Sequence, residues 1–215
     1  SSTSDISNLA VGPVQANTSS SANGASESLS AGETAQYATS SSGLSYLAKA
    51  GLINKCDGNS SGCQAKTLTR EEAASIVTVV GGIPQDSPNA YSDDDQSIYQ
   101  SAINGLPYYG MQVCFGSPFE ILPKETVARD EFACLLVKSI KAGTTTNLSG
   151  SVDKYSDEGA RKWTSDIHIL AANDVIPACS SISDKFCPSR KISIGEVSYI
   201  ICLLYTSDAA DDTSR

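Results

Sequence analysis

The chain has one histidine, one methionine and one tryptophan, and its 15 lysines and arginines are outnumbered by 24 aspartates and glutamates. Each scarcity removes a class of function. A lone histidine leaves no second imidazole for a metal site or a proton relay. A formal charge of −9 argues against nucleic acid or an anionic membrane surface as the main partner. No apolar run reaches the ~18 residues that a spanning helix needs, so membrane insertion is not expected. Nothing at the N-terminus reads as a basic region followed by an apolar stretch, and any export signal has been removed or was never included. No Cys-x-x-Cys pair occurs among the seven cysteines. That favours disulfides over zinc, and an oxidising compartment outside the cytoplasm.

What is present divides into a polar leader and a repeat. Residues 1–38 are rich in Ser, Ala, Asn, Gly and Thr and contain no Lys, Arg or Cys, which reads as a flexible, disordered tether. Beyond it Leu44, Leu47, Gly51 and Ala73 recur at one constant offset as Ile103, Leu106, Gly110 and Phe132. Tyr91-Ser92-Asp93 returns as Tyr155-Ser156-Asp157, and Leu106 returns at the same offset as Leu170. After a single inserted position, Pro123, Val127 and Glu131 return as Pro188, Ile192 and Glu196. Three units follow, over 39–84, 88–143 and 152–201.

Within a unit the apolar spacing predicts helix, loop, helix. Tyr99, Ala102, Ile103 and Leu106 lie at i, i+3, i+4, i+7, with Ser92 or Asp93 upstream as candidate caps or turn formers. The second helix keeps its stripe in all three copies: Ala73, Ile76, Val77 and Val80; Phe132, Leu135 and Leu136; Val197, Ile200 and Ile201. Two short helices cannot bury their own apolar faces, so the expected fold is all-α, with three pairs packed around a shared core.

The second helix opens as Thr69-Arg70-Glu71-Glu72, as Ala128-Arg129-Asp130-Glu131 and as Ser193-Ile194-Gly195-Glu196. Thr69 with Glu72, and Ser193 with Glu196, have the spacing of a capping box. Arg70 and Arg129 are not explained by capping, because a cation at a helix N-terminus opposes the dipole by ~0.3–1 kcal/mol. A guanidinium beside free backbone N–H groups does make a site for a carboxylate or phosphate. The plainer reading is a surface ion pair with a neighbouring unit's Asp or Glu, or simple solvation.

The sequence YSDDDQSIYQSAINGLPYYG followed by FEILPKETVARDEFACLLVKSI resembles the S-layer homology (SLH) repeat. Unit one keeps LTREEAASIV without the aromatic-Ser-Asp opening; unit three keeps YSDEGARKW but has Ile194 in place of the arginine. The resemblance covers roughly residues 40–201. It implies a pseudo-threefold helical module whose grooves hold an anionic secondary cell-wall polysaccharide, often pyruvylated, without a covalent bond. It implies further that the arginine of each intact motif contacts the acidic ketal. The ligand-binding candidates are then Arg70 and Arg129 with Thr69, Glu72 and Glu131, and Ile194 predicts an altered third groove. Tyr99 and Trp163 stand one residue off the family's count and are not carried over as sugar platforms.

The expected role is non-catalytic, with no cofactor or metal: an extracellular wall anchor at the cell surface. The alternative is a surface-layer or filament subunit that binds other subunits and no glycan. Anchoring requires the two arginines to face open grooves, whereas assembly predicts that they pair with carboxylates. No nucleophile, base and orienter emerge for an enzyme.

Cys56 and Cys63 share the inter-helix loop of unit one, and Cys179 and Cys187 that of unit three, which predicts two local disulfides. Cys114 then pairs with Cys134. Cys202 is left over, at the head of CLLYTSDAADDTSR, residues 202–215, a run that resembles translated sequencing-adapter read-through. On that reading unit three is cut short within its second helix. Asp57, Asn59, Ser61 and Gly62 imitate a calcium loop, but Leu68 stands where the bidentate acid belongs, so this is read as a turn. Asp93, Asp94 and Asp95 are read as solvating a helix start, with a part in calcium binding as the alternative, and Asn17, Asn59 and Asn147 are sequons.

Overall fold

The computed structural model describes residues 41–53, 61–85, 88–117, 119–143, 147–159, 161–180 and 184–212. Leader residues 1–38, Cys56, Asp57 and Asn59 lie outside the described residues. Among those described, the chain is helical: α1 (Ser41–Lys49), α2 (Ser61–Gln64), α3 (Arg70–Val80), α4 (Gln100–Gly105), α5 (Arg129–Gly143), α6 (Thr164–Ala172) and α7 (Ile194–Asp212). The only extended pairing among them consists of isolated bridges.

The first helix of unit two begins later than its apolar stripe and changes character early. Tyr99 occupies the cap position without a side-chain cap, and neither Ser92 nor Asp93 caps the helix. The chain tightens into a 3-10 turn at Leu106–Tyr109, where Pro107 has no N–H to continue an α-helix. Gly110, at φ 67°, then ends the turn in the left-handed region.

Asp93 has a different task. Its carboxylate accepts from the N–H groups of Ile121 and Leu122 at 3.0 and 2.8 Å, holding Leu122 at φ 52°. Asp157 accepts in the same way from Phe186 and Cys187 at 2.6 and 2.9 Å, and Cys187 sits at φ 56°. Positive φ is costly for a side chain with a Cβ, and a carboxylate that takes two successive N–H groups offsets that cost. The Tyr-Ser-Asp motif is therefore a clamp on its own unit's inter-helix loop.

The segments leading into α3, α5 and α7 meet at the centre. Leu68 N–H donates to Ile192 C=O (2.9 Å), Ile192 N–H to Val127 C=O (3.0 Å), and Val127 N–H to Leu68 C=O (2.9 Å), closing a ring of three hydrogen bonds. The side chains of Leu68, Val127 and Ile192 are fully buried there. Around them α1 packs on α7, α4 on α3, and α6 on α5. The α3 and α5 C-termini cross so closely that a Cβ on Gly81 would stand 2.8 Å from the Ser139 carbonyl.

Cys114–Cys134 and Cys179–Cys187 form two of the expected disulfides, each with Cα atoms 5.8 Å apart. Pairing of Cys56 with Cys63 concerns a residue outside those described. α7 continues to Asp212, and Leu204 is buried in the core. A Cβ on Gly43 would lie 2.7 Å from Cys202 Sγ, so α1 and α7 touch there.

Candidate functional site

The N-termini of α3 and α5 are where the sequence places an anion site, and their backbone donors are already engaged. Arg70 and Glu71 N–H donate to the carbonyls of Glu125 (2.8 Å) and Pro123 (3.1 Å). Arg129 and Asp130 N–H donate to those of Arg190 (3.0 Å) and Pro188 (3.1 Å). The next donors are taken by caps. Thr69 and Glu72 form a reciprocal capping box, and Ser193 with Glu196 does likewise at 2.8 and 3.2 Å. Glu131 accepts from Ala128 N–H at 2.8 Å, so it caps α5 as its counterparts cap α3 and α7.

The arginines point inward. Arg129 has no exposed side-chain surface. Its Nε donates to the Phe186 carbonyl at 2.8 Å, one terminal nitrogen to the Pro177 carbonyl at 2.7 Å, and the other forms a buried ion pair with Glu196. The guanidinium also lies 4.7 Å from the Phe186 ring centroid. Arg70 repeats the arrangement more loosely. It donates to the Ile121 carbonyl at 3.0 Å, meets Glu131 at 3.4 Å and sits 4.9 Å from the Phe115 ring. Thus each arginine grips the inter-helix loop of the following unit, beside the two N–H groups that Asp93 or Asp157 holds. Arg129 directs its donors to two carbonyls and a carboxylate of the neighbouring unit, and Arg70 directs its terminal nitrogens to one carbonyl and one carboxylate there, with its Nε left without a partner.

Two clefts open beside these helix starts, and neither is lined by an arginine of the motif. The first, about 380 Å³, lies at the α5 N-terminus, with Phe115, Asp130, Glu131, Lys162, Trp163 and Lys191 among its walls. Trp163 is partly exposed, with Lys162 Nζ 4.5 Å from its ring centroid. Lys162 also donates to the Val113 carbonyl at 3.1 Å, and Lys191 to that of Thr126 at 2.8 Å. The Asp130 carboxyl is pushed above its usual range by burial, against the pull of the Glu131 N–H and of the Arg161 guanidinium 3.5 Å away. The second cleft, about 460 Å³, has Lys66, Thr69, Glu72 and Ile194 in its wall. Of the sequence candidates, Thr69 and Glu72 therefore line the second cleft and Glu131 the first.

Sequence reasoning does not find Trp163, Lys162 and Lys191 as cleft residues. Lys162-Trp163 immediately precedes α6, whereas Lys191 comes from the segment that enters α7, and the two meet through α6 packing on α5 and the bridge between Lys191 and Ala128.

A second polar group lies on the far part of unit three. His168, on α6, has Nε2 2.7 Å from Glu158 Oε2 and 3.6 Å from Asp153 Oδ1. Glu158 is 2% exposed. Burial raises its carboxyl above the usual carboxylate range, while the adjacent His168 draws it back. His168, the lone histidine with no second imidazole for a metal site or relay, is thus the centre of a three-residue cluster with two carboxylates.

No protein-family model matches the chain, and no curated protein matches it.

Proposed function

We propose that this chain is a non-catalytic, exported binding module of the SLH type, which anchors its bearer to an anionic cell-wall polysaccharide through the clefts beside α3 and α5. The observation that carries the reading is the first cleft. It combines an aromatic face (Trp163), two ammonium groups (Lys162 and Lys191) and a volume of about 380 Å³, enough for a saccharide unit or two. An acidic sugar would stack its apolar face on the indole and place its carboxylate near the lysines. The arginines have a supporting role in this reading, since they fix the loops that form the cleft walls. The ring of hydrogen bonds among Leu68, Val127 and Ile192 supports a pseudo-threefold arrangement of three SLH-like repeats. Two disulfides suit an oxidising, extracellular setting.

Two observations favour the second reading, a surface-layer or filament subunit that assembles through protein contacts alone: Arg70 and Arg129 pair with Glu131 and Glu196, as assembly predicts, and unit two exposes apolar side chains. Tyr108, Tyr109, Val113, Phe119 and Leu122 of unit two are exposed apolar side chains, with Phe119 at 74%. Retention on purified wall polymer separates the two readings. Anchoring predicts that the parent and Arg70→Lys are retained and that Trp163→Ala with Lys191→Ala is not. Failure of the parent to bind, together with concentration-dependent self-association that Phe119→Ser abolishes, would establish the assembly reading instead.

A further inference from the structure

The sequence register that takes Tyr91 to Tyr155 also pairs Asn89 with Asp153, Asp94 with Glu158 and Asn104 with His168. Unit two therefore carries two amides and one acid where unit three carries two acids and an imidazole. In unit two the amides satisfy local backbone: Asn104 Oδ1 accepts from Ala90 N–H at 3.0 Å, and Asn89 Oδ1 accepts from Tyr91 N–H at 3.3 Å. In unit three the replacements converge, with one ligand atom from each of Asp153, Glu158 and His168 within 4.8 Å of the others.

The polar atoms of this cluster are not accounted for by the protein around them. Glu158 is only 2% exposed, yet neither of its oxygens accepts a hydrogen bond, and His168 Nε2 has no hydrogen-bond partner either. The 2.7 Å approach of Nε2 to Oε2 brings the charges together without the alignment of a hydrogen bond. Oε2 is left to the contact with His168 alone and Oε1 has no partner; a buried carboxylate so poorly matched is costly, and a cation held between it and the imidazole removes that cost.

We propose that Asp153, Glu158 and His168 form a binding site for a divalent transition-metal ion, with Zn2+ as the best match. One imidazole and two carboxylates suit zinc, which completes a tetrahedral set of three protein ligands with water. Two ligands bound ~2.0–2.1 Å from a tetrahedral ion are separated by ~3.3 Å. The 3.6 Å between His168 Nε2 and Asp153 Oδ1 already meets that spacing. The Glu158 contact has to open by about half an ångström to meet it. Asp153 is 78% exposed, so the ion enters from solvent on its side while Glu158 forms the closed wall. The backbone prepares the site: Val152 N–H donates to the His168 carbonyl at 3.1 Å, fixing the segment that carries Asp153 against α6. The role of the ion is structural, pinning that segment and the Glu158 turn to one helix, and it stands apart from the clefts of the wall-binding proposal.

The test uses the full oxidised chain, stripped of metal with EDTA and dialysed, then titrated calorimetrically with Zn2+ while the His168 ring nitrogens are followed by NMR. The expected result is one zinc per chain, a shift confined to Nε2, and a rise in Tm that EDTA reverses. His168→Asn restores the residue of unit two, so it is expected to fold; it and Glu158→Gln should each weaken zinc by ~10-fold or more, since even indirect supports of a metal site are worth about 10–100-fold. Cys202→Ser should bind zinc as the parent does. Zinc affinity equal in His168→Asn and the parent, or no response of the imidazole, overturns the proposal. So does binding of Ca2+ in preference to Zn2+, which would mean an oxygen-only site without the histidine.

Discussion

Replacing Arg129 by alanine tests whether this side chain builds the fold or binds a ligand. In the folded chain the guanidinium has no exposed surface and serves the Phe186 and Pro177 carbonyls and the Glu196 carboxylate. Removing one partner of a buried ion pair costs about 3–5 kcal/mol, because the other charge stays buried without full compensation. Here Arg190, which also reaches Glu196, relieves part of that penalty. Against it stand the two stranded carbonyls and the lost contact with the Phe186 ring, so the middle of the range, ~4 kcal/mol, is the expectation. For a chain of this size each kcal/mol moves Tm by about 2–4 °C, giving a fall of roughly 8–16 °C. Arg70→Ala should cost less, about 1 kcal/mol, since that pair is partly exposed and 3.4 Å apart. Thermal and urea unfolding of both variants with disulfides intact measures the difference. A loss in Arg129→Ala no larger than that in Arg70→Ala, accompanied by loss of glycan retention, would refute the supporting role and return the arginine to the binding site.

Asp94 predicts a pH effect of defined sign. Its side chain is fully buried with Oδ2 unpartnered, and burial, reinforced by Asp95 and Asp93, raises its carboxyl above the usual 3.8 despite the hydrogen bond from Gln100. Between 3.8 and the raised folded value the native state holds the extra proton, so the contribution of Asp94 to stability falls as pH rises through that window and stays low above it. Asp94→Asn should therefore match or exceed the parent in urea midpoint at about pH 7 and lose that advantage near pH 3.5; an advantage that grows on acidification would contradict the assignment. For the disulfides, loop closure predicts ~3.3 kcal/mol for Cys114–Cys134 and ~2.5 kcal/mol for Cys179–Cys187, from sequence separations of 20 and 8. Paired Cys→Ser variants, compared by urea unfolding, should follow that order, and the reverse order would show that packing at Cys179 and Cys187 outweighs chain entropy.

Much of the scaffold is legible in the sequence because it follows from local rules. The stripes of Ala73, Ile76 and Val77, of Phe132, Leu135 and Leu136, and of Val197, Ile200 and Ile201 are buried as their helical spacing requires, while Val80, the last of the first stripe, is half-buried. Thr69 with Glu72 and Ser193 with Glu196 cap as their three-residue spacing predicts. Two disulfides follow from the placement of their cysteines in and beside the inter-helix loops. Asp93 does not solvate a helix start, and its true partners, Ile121 and Leu122, are 28 and 29 residues away, where nothing local announces them. The clefts are invisible in the sequence for the same reason. Trp163 and Lys191 share a wall only after α6 has packed on α5 and Lys191 has bridged to Ala128.

The arginine shows where local reasoning ends. At a helix N-terminus the dipole disfavours a cation by ~0.3–1 kcal/mol, and from the sequence no packing demand for one is visible. The demand exists, but it lies in the next unit. Leu122 and Cys187 hold strained positive φ, and the peptide before each is gripped from both sides: Asp93 or Asp157 takes N–H groups, and Arg70 or Arg129 takes the carbonyl of Ile121 or Phe186. A lysine could supply charge there but not the fork by which Arg129 reaches two carbonyls and a carboxylate, and Arg70 one carbonyl and a carboxylate. Recurrence of arginine in units one and two thus reflects two inter-unit junctions of one kind. Ile194, fully buried in the wall of the second cleft, places an apolar residue at the corresponding helix start of unit three. Any ligand preference of the two clefts must then come from their own walls, with Lys162, Trp163 and Lys191 in one and Lys66, Thr69 and Ile194 in the other.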